Sequence, residues 1–155
     1  MRLHHGTNID FGEIRLDKCS LYKDFGKGFY LTPSKQRAKL RAMDKVDKEH
    51  TGVPTIISYD FNVAELENLN VLRFDRCTEQ WLDFILKNRN RRTYKPHDYD
   101  VVIGPVADDG VINSISLYES KVINRAELLN RIKGKKGYIQ YSFCTQKAIG
   151  KLQRI

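Results

Sequence analysis

The chain has no long apolar run, few cysteines and no biased tract, and each absence narrows what it can be. Nowhere in its 155 residues is there a span of the length a membrane helix needs. The opening "MRLHHGTNID" lacks the apolar core of a signal peptide, so a soluble cytoplasmic protein is expected. Cys19, Cys77 and Cys144 are an odd number in unrelated contexts, with no C-x-x-C pair and no histidine at zinc-ligand spacing. They read as reduced and structural, and no metal centre is expected. No Pro- or Ser-rich tract suggests a linker. With 41% apolar and 30% charged residues, the composition is that of one globular domain over residues 1–155, large enough to bury a core without staples.

What is present in excess is positive charge. Lys and Arg number 27 against 19 Asp and Glu, a formal net charge of +8, which favours encounters with polyanions or acidic partners. The densest runs are "LKNRNRRTYK" (Leu86 to Lys95) and "NRIKGKK" (Asn130 to Lys136). The first sets Tyr94 among cations, which reads either as a base-stacking platform or, like the second, as a solvated helix end suited to the helix dipole.

Hydrophobic patterning predicts the elements. "RLHHGT" and "KGFYLT" read as short strands, the second closed by Thr32-Pro33, with Thr32 a cap and Pro33 a first helical residue. Ser34 to about Glu49 follows as an amphipathic helix with Ala38, Leu40, Met43 and Val46 as its apolar residues. "TIISYDFN" (55–62) alternates as a half-buried strand does. Thr78 caps a helix through Asn88 that buries Trp81, Leu82, Phe84 and Ile85. "YDVVIGPV" (99–106) is a buried strand, with turn chemistry at "ADDG" after it. A helical stretch over 112–132 breaks near Val122, "YIQYSF" is a strand, and Thr145 caps a last helix through about Leu152. Strands and helices mix without a regular βαβ repeat, so the expected class is α+β.

One short segment asks for a specific backbone. In "DFGKGFYLT" Gly26 and Gly28 flank Lys27, permitting positive φ or close approach to a ligand just before Phe29 and Tyr30 enter a strand. Together with His5-Gly6-Thr7 on the first strand, this spelling resembles the ADP-ribosyltransferase superfamily, in the branch of diphtheria toxin and the poly(ADP-ribose) polymerases. That branch has H-G-[ST] on one strand, G-x-G-[IF]-Y-[FL] on a strand entering a helix, and usually a glutamate opening a later strand. Here "QYSFCT" puts Gln140 at the glutamate's place. With "DYDVVIGPVADD", the chain looks like a small bacterial family of this superfamily whose members are suspected toxins of toxin–antitoxin pairs. The resemblance implies a split, bent mixed sheet with flanking helices, NAD as co-substrate in the cleft, and an inhibitory antitoxin protein as a possible partner.

On that reading the site is His5, Gly6, Thr7, Gly28, Tyr30 and Gln140. Cleaving the nicotinamide–ribose bond builds positive charge on the ribose, as glycoside hydrolysis does. Gly6 would offer backbone N–H and C=O to the nicotinamide amide, Tyr30 an aromatic face, and His5 a bond to a ribose hydroxyl. An amide at Gln140 can bond the ribose but adds no charge, so chain building is not expected, and Asp108 or Asp109 would bring the missing carboxylate to the cleft. Each residue also has a plainer account: His5 as a core histidine satisfied by a backbone carbonyl, Tyr30 as strand packing, Gln140 as a strand-edge polar residue, and the Asp pair as turn formers. The expectation is a mono-ADP-ribosyltransferase acting on protein or nucleic acid, with water as acceptor making it an NAD glycohydrolase. The alternative is an inactive module that binds an acidic protein or nucleic acid.

Overall fold

The computed structural model describes all residues, 1–155. Seven strands form two sheets. β1 (Arg2–Thr7), β3 (Thr55–Phe61) and β7 (Leu152–Arg154) make a three-stranded antiparallel sheet with β3 central. β2 (Phe29–Leu31), β6 (Ile139–Phe143), β5 (Val101–Pro105) and β4 (Val71–Arg73) make a four-stranded mixed sheet, parallel only between β4 and β5. The class is therefore α+β, with helices packed on the sheets. A single backbone pair joins the two sheets, His4 N–H to Thr32 C=O at 2.8 Å and Thr32 N–H to His4 C=O at 2.9 Å.

Strand alternation divides the apolar side chains between two clusters on opposite faces. Val101 and Ile103 join Leu3, Phe29, Leu31, Tyr59, Phe61 and Phe143 on one face, while Val102 joins Phe25, Trp81, Leu82, Ile85, Val111 and Leu128 on the other. β5 is buried along its whole length, which explains its continuous apolar run.

Several element boundaries differ from expectation for local reasons. α1 (Lys35–Glu49) is capped by Ser34, whose hydroxyl accepts from Arg37 N–H, so Pro33 lies outside the helix and Thr32 instead takes the Ser34 N–H. Its buried residues are Ala38 and Ala42, while Leu40 and Met43 face outward. α2 (Glu79–Arg89) keeps its Thr78 cap and buries Trp81, Leu82, Ile85 and Asn88, with Phe84 half-buried. α3 (Asp109–Glu119) starts three residues earlier than expected because Asp108 caps Val111 N–H at 2.9 Å, so "ADDG" opens a helix and is not a turn. The break before α4 (Arg125–Ile132) falls near Val122, at a left-handed Lys121. α5 (Gln146–Ile149) is a single turn, shorter than the helix expected through about Leu152, and Leu152 instead opens β7. No helix is long and apolar enough to cross a membrane.

Candidate active site at the seam between the sheets

β1 and β2 are paired at His4 and Thr32, and the next antiparallel pair along would be Gly6 with Tyr30. There the strands part. The Tyr30 carbonyl, which a continuing ladder would give to Gly6 N–H, accepts instead from His5 Nδ1 at 2.8 Å. A carbonyl has no proton to give, so Nδ1 is the donor and the neutral imidazole presents Nε2 as an acceptor. The ring is held flat against Phe29, centroids 4.4 Å apart, and meets the edge of Phe11. Burial pushes the His5 pKa down to about 4, and the positive Lys45, Arg41 and Lys23 press the same way against the opposing Tyr30 bond.

The same alternation leaves Gly6 without backbone partners. His4 turns its N–H and C=O away from β3 toward β2, so Gly6, two residues on, does the same, and its cross-strand position opposite Ile56 is a non-bonded one. No side chain bonds its amide or carbonyl, and Gly6 is buried. A buried backbone donor and acceptor side by side without partners are rare and point to a ligand or an ordered water. Gly6 is also the only residue that fits: a Cβ there would sit 2.0 Å from the Ala38 carbonyl oxygen of α1. That close crossing is why α1 buries two alanines and turns Leu40 and Met43 outward.

The turn before β2 is braced on all sides. Gly26 has φ +76°, a conformation that side chains rarely adopt. The Tyr30 hydroxyl accepts from Phe25 N–H at 2.9 Å and donates to the Gly26 carbonyl at 2.7 Å, which closes the turn, and burial holds its pKa well above the ordinary tyrosine value. His97 Nε2 donates to the Phe25 carbonyl at 2.8 Å. Gly28 lies so close to β6 that a Cβ would meet Ser142 Oγ at 2.2 Å. Lys27, at the tip, is half-buried and makes no ion pair.

Gln140 enters from β6 on the same face as Tyr30, whose cross-strand partner is Ser142. Its Nε2 donates at 3.1 Å to Asp24 Oδ2. Asp24 is buried, and it also accepts from Ala107 N–H at 3.1 Å and from Arg89 at 2.7 Å. The carboxylate beside Gln140 is thus Asp24, and neither member of the expected pair: Asp108 is spent as the cap of α3, and Asp109 is an exposed first residue of that helix with no side-chain partner. Local spelling could not reveal this, because Gln140 lies 116 positions from Asp24. The only signal was the acidic residue directly preceding "FGKG".

The structure therefore brings His5, Gly6 and Tyr30 together at the seam and sets Gln140 two residues along β6 from the partner of Tyr30. His5 and Gln140 do not touch; by alternation their side chains leave the sheet on opposite faces. Thr7 is buried opposite Thr55. All three cysteines are free thiols, and burial pushes Cys77 and Cys144 up to about 11, so neither is a thiolate at neutral pH. No cluster of metal-ligating side chains is present. A surface recess of about 510 Å³, lined by Asp60, Glu65, Lys151 and neighbours, lies by β3 and β7 and contains none of these residues. Two of its lining residues, Lys151 and Glu65, are already paired with each other, so the unpaired groups at the seam weigh more than its volume.

No curated protein and no solved structure matches the chain. A family match covers residues 1–154, nearly the whole molecule, and by it the chain belongs to the DUF3990 family, proteins of unknown function.

Proposed function

We propose that this protein is an NAD-dependent mono-ADP-ribosyltransferase, with the split sheet of the ADP-ribosyltransferase fold. The observation that carries the reading is the buried, unpaired N–H and C=O of Gly6 where the two sheets part. One donor and one acceptor on the same residue, pointing the same way from the strand, are the complement of a primary carboxamide, and nicotinamide carries one. The neutral His5, fixed by the Tyr30 carbonyl, offers Nε2 to a ribose hydroxyl. Gln140 has its nitrogen committed to Asp24, which leaves Oε1 as an acceptor aimed elsewhere.

In the reaction the bond between ribose C1′ and the nicotinamide nitrogen breaks, and its electron pair leaves with neutral nicotinamide. The ribose carries the positive charge until an acceptor nucleophile bonds to C1′ and gives up its proton. Acceptor oxygens held in place beforehand stabilise that charge without reorganising. Asp24 is a positioning residue: it orients Gln140 and places negative charge one hydrogen bond behind it. Lys23, Arg41 and Lys45, all close enough to bias His5, supply a positive rim for the diphosphate of the dinucleotide.

Incubation with labelled NAD, alone and with cell lysate, tests the reading by following label into protein, nucleic acid or free ADP-ribose. His5→Ala is expected to slow NAD cleavage by about a hundredfold, the scale of losing one preorganised contact. Unaltered turnover in a folded His5→Ala protein removes the assignment. Absence of any cleavage, with NAD still bound, leaves the inactive binding module.

A further inference from the structure

The basic run after α2 is not dispersed into solvent. Tyr94 folds back onto Tyr22, ring centroids 5.4 Å apart and nearly perpendicular, and the Arg91 guanidinium lies over the Tyr22 ring at 4.9 Å. Both tyrosines remain half-exposed. Leu86 to Lys95 contains five Lys or Arg and no Asp or Glu, and of these only Arg89 has an acidic partner. Arg91, Arg92 and Lys95 are exposed and unpaired, and so is the half-buried Lys23 next to Tyr22. Partial burial and the neighbouring Arg41, Lys45 and Arg89 keep the Lys23 pKa below its ordinary value, with Asp24 opposing, as expected where cations converge without enough counter-charge. The second basic run differs: its Arg131 is tied to Glu127 and no ring lies among its lysines.

Position adds to composition. Tyr22, Lys23 and Asp24 are consecutive, and Asp24 bonds Gln140. Consecutive Cα atoms are about 3.8 Å apart, so the backbone that carries Tyr22 lies within roughly 8 Å of the Asp24 backbone. We infer that the surface formed by Tyr22, Tyr94, Arg91, Arg92, Lys95 and Lys23 docks single-stranded nucleic acid, its bases against the tyrosine and guanidinium planes and its phosphates on the cations. Unpaired cations alone would suit an acidic protein equally well. The rings decide between them, because a flat base stacks on an aromatic or guanidinium plane and an acidic side chain has no such face. That the docked strand is the ADP-ribose acceptor rests on the transferase reading; that it docks does not.

The test is fluorescence anisotropy of the full chain with labelled 12-nucleotide DNA and RNA strands, their duplexes, and a polyglutamate peptide, across a salt series and without NAD. Single strands should bind more tightly than duplexes and than polyglutamate, with affinity falling as salt rises by about 0.7 log units per log unit for each phosphate engaged. Tyr94→Ala and Tyr22→Ala should each weaken binding by about fivefold to a hundredfold at an unchanged salt slope, the range reported for one stacked base. Arg91→Glu with Arg92→Glu should flatten the slope. Polyglutamate binding as tightly as the strands, duplexes binding as well as single strands, or insensitivity to all four substitutions overturns the proposal. Because no NAD is present, a transferase that ignores nucleic acid and a nucleic-acid binder that leaves NAD intact are distinct results.

Discussion

The two ends of the candidate site are built from opposite materials. At the His5 end a neutral ring sits among Phe11 and Phe29, held by one backbone carbonyl. At the Gln140 end a neutral amide sits on a buried carboxylate that is tied in turn to Arg89 and to the Ala107 amide. The first end is uncharged because burial disfavours charge; the second tolerates charge because hydrogen bonds and a cation surround it. One face of the seam thus carries an uncharged acceptor with no charge behind it, and the other an amide backed by one negative charge.

The largest expected effect tests the apolar end by pH. His5 has a pKa of about 4 when folded against about 6.5 when unfolded, so between those values the unfolded chain binds the extra proton. Its contribution is complete above about pH 6.5 and is lost as pH falls toward 4, by up to about 3 kcal/mol. Urea unfolding across that range should show a shallower fall for His5→Gln, which cannot take up the proton; equal slopes would mean the ring is not held dry. Next in size is Asp24→Asn at the polar end. Removing the charge that faces Arg89 should cost about 2 kcal/mol and suppress NAD cleavage, while leaving the His5 pH dependence untouched. Loss of activity without loss of stability would show that Asp24 acts on chemistry alone. The smallest change sharpens the contrast most. Gln140→Glu puts a second carboxylate where a 3.1 Å hydrogen bond to Asp24 stood, so it should cost about 1 kcal/mol at neutral pH, recovered on acidification, and lower NAD cleavage. A faster enzyme would mean that Gln140 swings clear of Asp24 during reaction.

Much of this frame was legible in the sequence wherever the determining contacts are local. Thr78 and Thr145 cap their helices as their positions suggest, and β1, β3, β5 and β6 follow from patterning. β4 and β7 were not legible: each has three residues, exposed or half-buried, and exists only because β5 or β3 offers an edge to pair with. In the helix of residues 35–49 the expected apolar set was Ala38, Leu40, Met43 and Val46; that Ala38 and Ala42 are the buried pair depends on Gly6, which belongs to another element. The site divides the same way. His5, Gly6 and Tyr30 are near one another in sequence and could be placed; the role of Asp24 depends on Arg89, Ala107 and Gln140, none of which is adjacent to it in the chain.

The pairing of β2 with β6 has a kinetic side. Phe29 meets Phe143 across most of the length of the chain, so the loop that must close before this ladder forms is long, and such contacts are among the slowest to assemble. During synthesis His5, Gly6 and the Gly26 turn emerge first, while Gln140 and the strand that carries it are still to be made. Until Gln140 and its strand have been made the chain holds only half of the seam, so the site is completed only when β6 docks on β2.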